Sequence, residues 1–233
     1  MPTDPNGGTP AFSDNRTTGE ATRLCGPFMN VVDQDGSSLA VIHKDVLCKS
    51  SHYFRNATKP EWSELRNEPY TIRLPVEQPE AFRLYAHWLY SKTLPLPEFK
   101  KETSVGYFEK FARAYVLGEA LLDKLFKNEV INAILATNKK EAHSPIGRPV
   151  AIIYDGGSPA RRLMADMCAV NFNEKDASWT NEFDDCPKEF FQDVVKIMTK
   201  WRRDVSPAII YNAFGDYHEK DIVPANESPK VNE

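Results

Sequence analysis

The chain of 233 residues carries 29 Lys and Arg against 33 Asp and Glu, a formal net charge of −4, with 41% hydrophobic residues. That length allows one large domain, or a compact domain with an extension, and gives no basic field of the kind that binds a phosphate backbone, so direct nucleic-acid binding is not expected. No apolar run approaches the roughly 20 residues of a membrane helix, and the first residues lack the cationic stretch and apolar core of a secretion signal; the expectation is an intracellular chain, in nucleus or cytoplasm, with no membrane partner.

Residues 1–22 are dominated by Gly, Pro, Thr, Asn and Asp and are expected to form a disordered leader. Phe28–Val32 and Leu39–His43 flank Asp33-Gln34-Asp35-Gly36, whose glycine supplies a positive φ, so a β-hairpin is predicted. Lys44 to Ala57 holds two apolar pairs, Val46-Leu47 and Tyr53-Phe54, separated by Ser50-Ser51, and reads as two short helices with a serine capping the second. Tyr70-Thr71-Ile72-Arg73-Leu74 alternates and stops at Pro75, a short strand whose partner lies elsewhere in the sheet.

After Pro79, Phe82, Tyr85, Ala86 and Leu89 recur at helical spacing with Trp88 beside them. A second stripe, Phe108, Phe111, Ala112, Tyr115 and Val116, is predicted to end near Gly118, and a third runs through Leu121, Leu122, Leu125, Phe126, Ile131, Ile134 and Leu135. Pro145, Gly147 and Pro149 read as punctuation, with Ser158 capping a helix from Ala160 to about Val170. Pro187 opens a helix whose Phe190, Phe191, Val194, Val195, Met198 and Trp201 share one side, expected to pack against the earlier helices, and the segment beyond Asp204 is expected to be loose. A hairpin, short helices, one more strand and then helix pairs suit an α+β module better than alternating βαβ units.

Val41-Ile42-His43-Lys44-Asp45-Val46-Leu47-Cys48-Lys49-Ser50-Ser51-His52-Tyr53-Phe54-Arg55 resembles the BTB/POZ family, in which a strand ends in His-Lys and two short helices carry Leu-x-x-x-Ser-x-Tyr/Phe-Phe. The resemblance continues in family order through Ile72-Arg73-Leu74-Pro75, Pro79-Glu80-Ala81-Phe82 and Trp88-Leu89-Tyr90-Ser91-Lys92-Thr93-Leu94, and closes with a helix pair over Tyr115 to Ile134. The part around Asp155 to Leu163 and Pro187 to Phe190 is similar to the extension of fungal BTB proteins. The resemblance implies a leader over 1–22, a BTB/POZ domain over 23–137, a mainly helical C-terminal extension over 138–204 and a flexible tail over 205–233. Two departures, Met29-Asn30 where many animal members carry an Asp and a polar leader in place of their extra helix and strand, mean that the swapped dimer of those members is not carried over.

The function implied is a noncatalytic protein-protein interaction module, in one version a substrate adaptor for a cullin-type ubiquitin ligase, in the other a homo- or hetero-oligomeric scaffold or transcription-associated protein with no ubiquitin role. Some family members use a hydrophobic-x-Glu signature before the third strand to meet the cullin, and Trp62-Ser63-Glu64 sits there. An exposed Trp with a carboxylate nearby makes an interface anchor, since aromatic burial supplies energy and the charge fixes register. Tyr53, Trp62 and Glu64 are therefore the candidate protein-contact residues.

Other sharp readings weigh less. His43 at a strand-to-helix junction is explained by the fold, Ser158 lies in neither a G-x-S-x-G nor a phosphate-loop pattern, and the basic cluster Lys196, Lys200, Arg202 and Arg203 reads as a solvated helix face. Cys25, Cys48, Cys168 and Cys186 form no C-x-x-C pair and are expected to be buried free thiols in a reducing compartment, and the five histidines show no metal spacing. No cofactor and no metal is expected. The sequons at Asn15, Asn56 and Asn226 are taken as chance matches.

Overall fold

The computed structural model describes residues 26–75, 79–95, 104–141, 143–156, 159–171, 182–200 and 214–219. The expected leader, Cys25, Ser158, Trp201, Arg202 and Arg203, and all of the tail but 214–219 lie outside the described residues.

The hairpin forms as its sequence predicts. Strand β1 (Phe28–Val32) pairs antiparallel with β2 (Ser38–His43), Met29 opposite Ile42 and Val31 opposite Ala40, with a bulge between Val31 and Val32. Gly36 adopts φ +85°, and Asp33 closes the turn by accepting the Ser37 and Gly36 amides. The partner missing from the strand at Ile72 is β1: β3 (Thr71–Arg73) runs parallel to it, Ile72 beside Val31, giving the sheet order β2-β1-β3. Parallel pairing requires a crossover, which here is the helical stretch between β2 and β3.

That stretch holds three short helices, α1 (Lys44–Ser50), α2 (His52–Ala57) and α3 (Pro60–Ser63). Ser51 is the capping serine: its hydroxyl accepts the Phe54 amide at 3.2 Å and donates to the Leu121 carbonyl at 2.6 Å. The third helix departs from the expected loop. Pro60 in its first turn needs no amide partner and holds φ at a helical value, which suffices for a single turn around Trp62.

Helix α4 (Pro79–Ser91) buries Phe82, Tyr85, Trp88 and Leu89 as the 3.6-residue period requires. Tyr85 sits in an aromatic box, its ring centroid 4.8 Å from Phe126, 5.8 Å from Phe82 and 6.3 Å from Phe54. Helix α5 (Ser104–Ala120) does not stop at Gly118. A Cβ there would lie 2.7 Å from Lys127 Cγ, so the glycine serves the close crossing of α5 by α6 (Lys124–Glu141), and the chain reverses at Leu122 with φ +51°. A leucine in the left-handed region costs about 1 kcal/mol or more, offset by the bonds that the turn receives from α2. Val116, Leu122 and Leu125, expected in apolar stripes, are exposed.

The proline-punctuated stretch forms a helix, α7 (Arg148–Gly156), that the punctuation concealed: Pro149 occupies the first turn, and Val150, Ile153 and Tyr154 are buried. Helix α8 (Pro159–Asn171) matches its prediction within a residue. Helix α9 (Lys188–Lys200) buries Phe190 and Val194 chiefly against α8 and α7, rather than against α1 to α6 as expected, and leaves Val195 and Met198 exposed. The segment at 214–219 is docked, not loose, with a 3-10 turn over Phe214–Tyr217 and Tyr217 buried. The whole is α+β, a three-stranded sheet with a mostly helical remainder, and its buried apolar residues make one continuous cluster; α6 runs unbroken through position 137.

Candidate protein-interaction surface

Helix α2 is pinned on the α5–α6 turn. Besides the Ser51 hydroxyl, the Tyr53 amide donates to Leu121 O at 3.3 Å and the His52 amide to Leu122 O at 3.5 Å. Pinned this way, α2 buries Phe54 completely and leaves Tyr53 half-buried, edge-on to Phe54 at 5.4 Å. Burial raises the Tyr53 phenol above its ordinary range, and the positive charge of Arg66 pulls it partway back. Tyr53 forms part of the wall of an apolar groove of about 540 Å³, shared with Leu74 and Pro75 after β3, Val116 and Leu117 of α5, and Ile152 of α7. The N-terminal elements and the C-terminal helices thus both contribute to one concavity, with Arg113 at its side held by Glu109 at 2.6 Å.

Trp62 and Glu64 stand on α3, away from the core. The Trp62 amide donates to Lys59 O at 3.0 Å and the Glu64 amide to Pro60 O at 3.0 Å, so the turn is closed by its own backbone. Arg66 anchors the stretch between α3 and β3: its guanidinium bonds the Ala57 carbonyl at the end of α2 and, at 3.0 Å, the Thr71 carbonyl in β3. With the segment tied in this way, α3 presents Trp62 at 61% exposure, and the stretch that follows it presents Leu65 at 79% and Tyr70 at 60%. Three large apolar side chains this exposed within nine residues are a candidate contact surface, since isolated exposed apolar residues need no explanation but a sequence-local set does.

Of the predicted contact residues, Trp62 and Glu64 share one turn, while Tyr53 stands apart from them on α2, facing the groove. Leu65 and Tyr70 were missed. Leu65 had a usable signal, a lone apolar residue within Glu64-Leu65-Arg66-Asn67-Glu68, whereas Tyr70 sits in phase with the buried Ile72 and Leu74 and is read from alternation as a core residue.

His43 is a structural clamp. Its ring packs at a tilt against Phe28, centroids 4.3 Å apart, and the Tyr90 hydroxyl accepts its backbone amide at 3.2 Å and lies 2.9 Å from its Nδ1. Among the described residues no group of three His, Cys, Asp or Glu side chains could hold a metal ion, and no helix is long and apolar enough to cross a membrane. Of the three described cysteines, all free, Cys168 alone is buried; Cys48 and Cys186 are half-buried, a departure from the expectation. Burial pushes the Cys168 thiol up to about 12 and the Cys186 thiol up to about 11, the latter opposed by the Gly147 amide that donates to its sulfur at 3.1 Å.

No family model, curated protein or solved structure matches this chain.

Proposed function

We propose that this chain is a noncatalytic protein-protein interaction module of the BTB/POZ type, acting as an adaptor that carries a target to a cullin-type ubiquitin ligase. The observation that carries the reading is Trp62, 61% exposed on a one-turn helix that Arg66 ties down at both flanks. A rigidly presented Trp is the residue type most enriched at binding hot spots, because it brings a large apolar area to the interface with few torsions to immobilise. Glu64, exposed and two residues on, supplies the charge that sets register. The family resemblance supports the type: its ordered segments fall in sequence on β2 with α1 and α2, on β3, on α4, and on α5 with α6.

The test is recovery of cullins by tagged pull-down from the native cell, followed by titration with a purified cullin N-terminal domain. Wild type is expected to bind, and Trp62→Ala/Glu64→Ala to lose at least about tenfold in affinity, consistent with about 2 kcal/mol for a hot-spot Trp, while keeping its fold by circular dichroism. Failure of wild type to bind any cullin at micromolar concentration sinks the adaptor reading.

A second reading, a self-associating scaffold, is favoured by the hairpin's Phe28 and Val41, exposed together with Tyr90 of α4, whose hydroxyl meets His43. A mass equal to one chain at high concentration by light scattering removes it.

A further inference from the structure

The segment 214–219 touches the rest of the molecule in an unusual way. Three consecutive residues each reach a partner on the helices. Tyr217 is inserted to 2% exposure, and its hydroxyl donates to Asp166 Oδ2 of α8 at 2.9 Å. His218 Nε2 lies 3.0 Å from Asn132 Oδ1 of α6. The Glu219 amide donates to Asn128 Oδ1 at 3.0 Å, and its carboxylate meets Lys127 Nζ at 3.1 Å and the Tyr115 hydroxyl at 3.3 Å. The neighbours Gly215 and Asp216 are exposed. One buried aromatic, one backbone amide read by a side-chain amide, and one carboxylate read by a lysine and a phenol form the contact set of a bound peptide.

The receiving side chains are held by partners of their own. Asp166 is also paired with Arg162 Nε at 3.4 Å, and Asn132 donates to Glu129 at 3.3 Å. Lys127 lies flat across α5 because Gly118 has no Cβ to obstruct it, which brings its ammonium 5.7 Å from the centre of the Tyr115 ring. These contacts involve no atom of the segment, the arrangement of a preorganised site, which lowers the cost of occupying it. An open depression of about 580 Å³ lies beside the segment, bordered by Ser50, His52, Lys124 and His218, and the Ser50 hydroxyl is buried without a hydrogen-bond partner, where buried polar groups are ordinarily satisfied.

We infer that the surface formed by α5, α6 and α8 is a docking site for a Tyr-x-Glu peptide, that Tyr217-His218-Glu219 is its ligand in cis, and that the segment is detachable, so that the same sequence from a second copy of this chain can occupy the site in trans. The inference stands apart from the adaptor reading, since it uses neither Trp62 nor the groove at Tyr53. Its chemistry is selective. The buried carboxylate at the base of the tyrosine pocket requires a donor, which a phenol supplies and a phenyl ring lacks, and Lys127 with Tyr115 requires an anion two residues on.

The experiment uses the full chain with its own segment disabled by Tyr217→Ala/Glu219→Ala, and as probe a fluorescein-labelled peptide spanning residues 213–220. Saturable anisotropy is expected with the disabled chain and at least about tenfold weaker binding with wild type, where the segment in cis competes. Adding Lys127→Met to the disabled chain, which keeps the aliphatic stem and removes the charge, is expected to weaken binding about tenfold, as is Tyr217→Phe in the peptide. Circular dichroism establishes that the disabled chain is folded, and if it is not, Tyr217→Phe/Glu219→Gln replaces it in the same titration. No saturable binding to a folded disabled chain, equal binding to wild type and disabled chain, or indifference to Lys127→Met overturns the inference.

Discussion

Two tyrosine-carboxylate pairs at the same 2.9 Å separation do different jobs. In the N-terminal part, Tyr85 donates to Asp123 Oδ2 from within the aromatic box, and Asp123 Oδ1 also accepts the Phe126 amide at the start of α6, so that one carboxylate joins α4 to the α5–α6 turn. At the other end, Tyr217 donates to Asp166, but its backbone belongs to a short segment whose adjoining residues are exposed. The bond chemistry is the same and both rings are buried in one core cluster; what differs is the element that carries each. Tyr85 belongs to the long helix α4 and is flanked by Phe54, Phe82, Trp88 and Phe126, whereas Tyr217 belongs to a single 3-10 turn, with the Arg162 guanidinium 5.8 Å from its ring. A buried hydrogen bond fixes where a residue sits, and the packing around it decides whether the seat is permanent.

The comparison can be broken at the stronger pair first. Tyr85→Ala removes a fully buried ring from the centre of the box and takes the donor from Asp123 Oδ2, and is expected to cost about 3–5 kcal/mol, read from the urea midpoint. A loss below about 1 kcal/mol would mean that the box is not the centre of the core. Tyr217→Phe keeps the ring and removes only the donor, while Arg162 remains beside Asp166, so a loss of about 1 kcal/mol is expected. Hydrogen exchange should show that loss in α6 and α8 and leave α4 unchanged. Equal protection loss in α4 would show that the segment is welded to the whole core.

The smallest effect is the pH dependence of the second pair. Burial raises the Asp166 carboxyl above its ordinary range, and its bonds to Tyr217 and Arg162 only partly oppose the shift. A carboxyl whose folded value is raised binds its proton more tightly when folded. Its contribution is fully present below the unfolded value of about 4 and is lost as pH rises through the raised one. Wild type should therefore lose stability relative to Asp166→Asn as pH climbs from about 4. A gain over that interval would mean that Tyr217 and Arg162 outweigh burial.

Where a residue's role is set by its own neighbours in the chain, it was legible. The hairpin follows from a glycine between alternating runs, the α2 cap from Ser51 ahead of an apolar pair, α4 from its period and α8 from Pro159. That Trp62 stands exposed agrees with its reading as a surface residue, although the turn of helix that presents it was not legible, because Pro60 admits either a loop or a single turn.

What distant contacts decide was not legible. Gly118 has the local signature of a helix stop, and only the crossing of Lys127 at 2.7 Å from its missing Cβ gives it another purpose. Tyr70 is in phase with the core, yet β3 is short and its first side chain emerges at the surface. Tyr217 lies between Pro207 and Pro224 in a run without a helical or strand period, read as a loose tail, and it is ordered by Asp166, 51 residues away. Periodicity and capping act over three or four residues, so the sequence by itself determined the elements and their apolar faces; burial, register and docking depend on pairs far apart in the chain, and only the tertiary structure decided them.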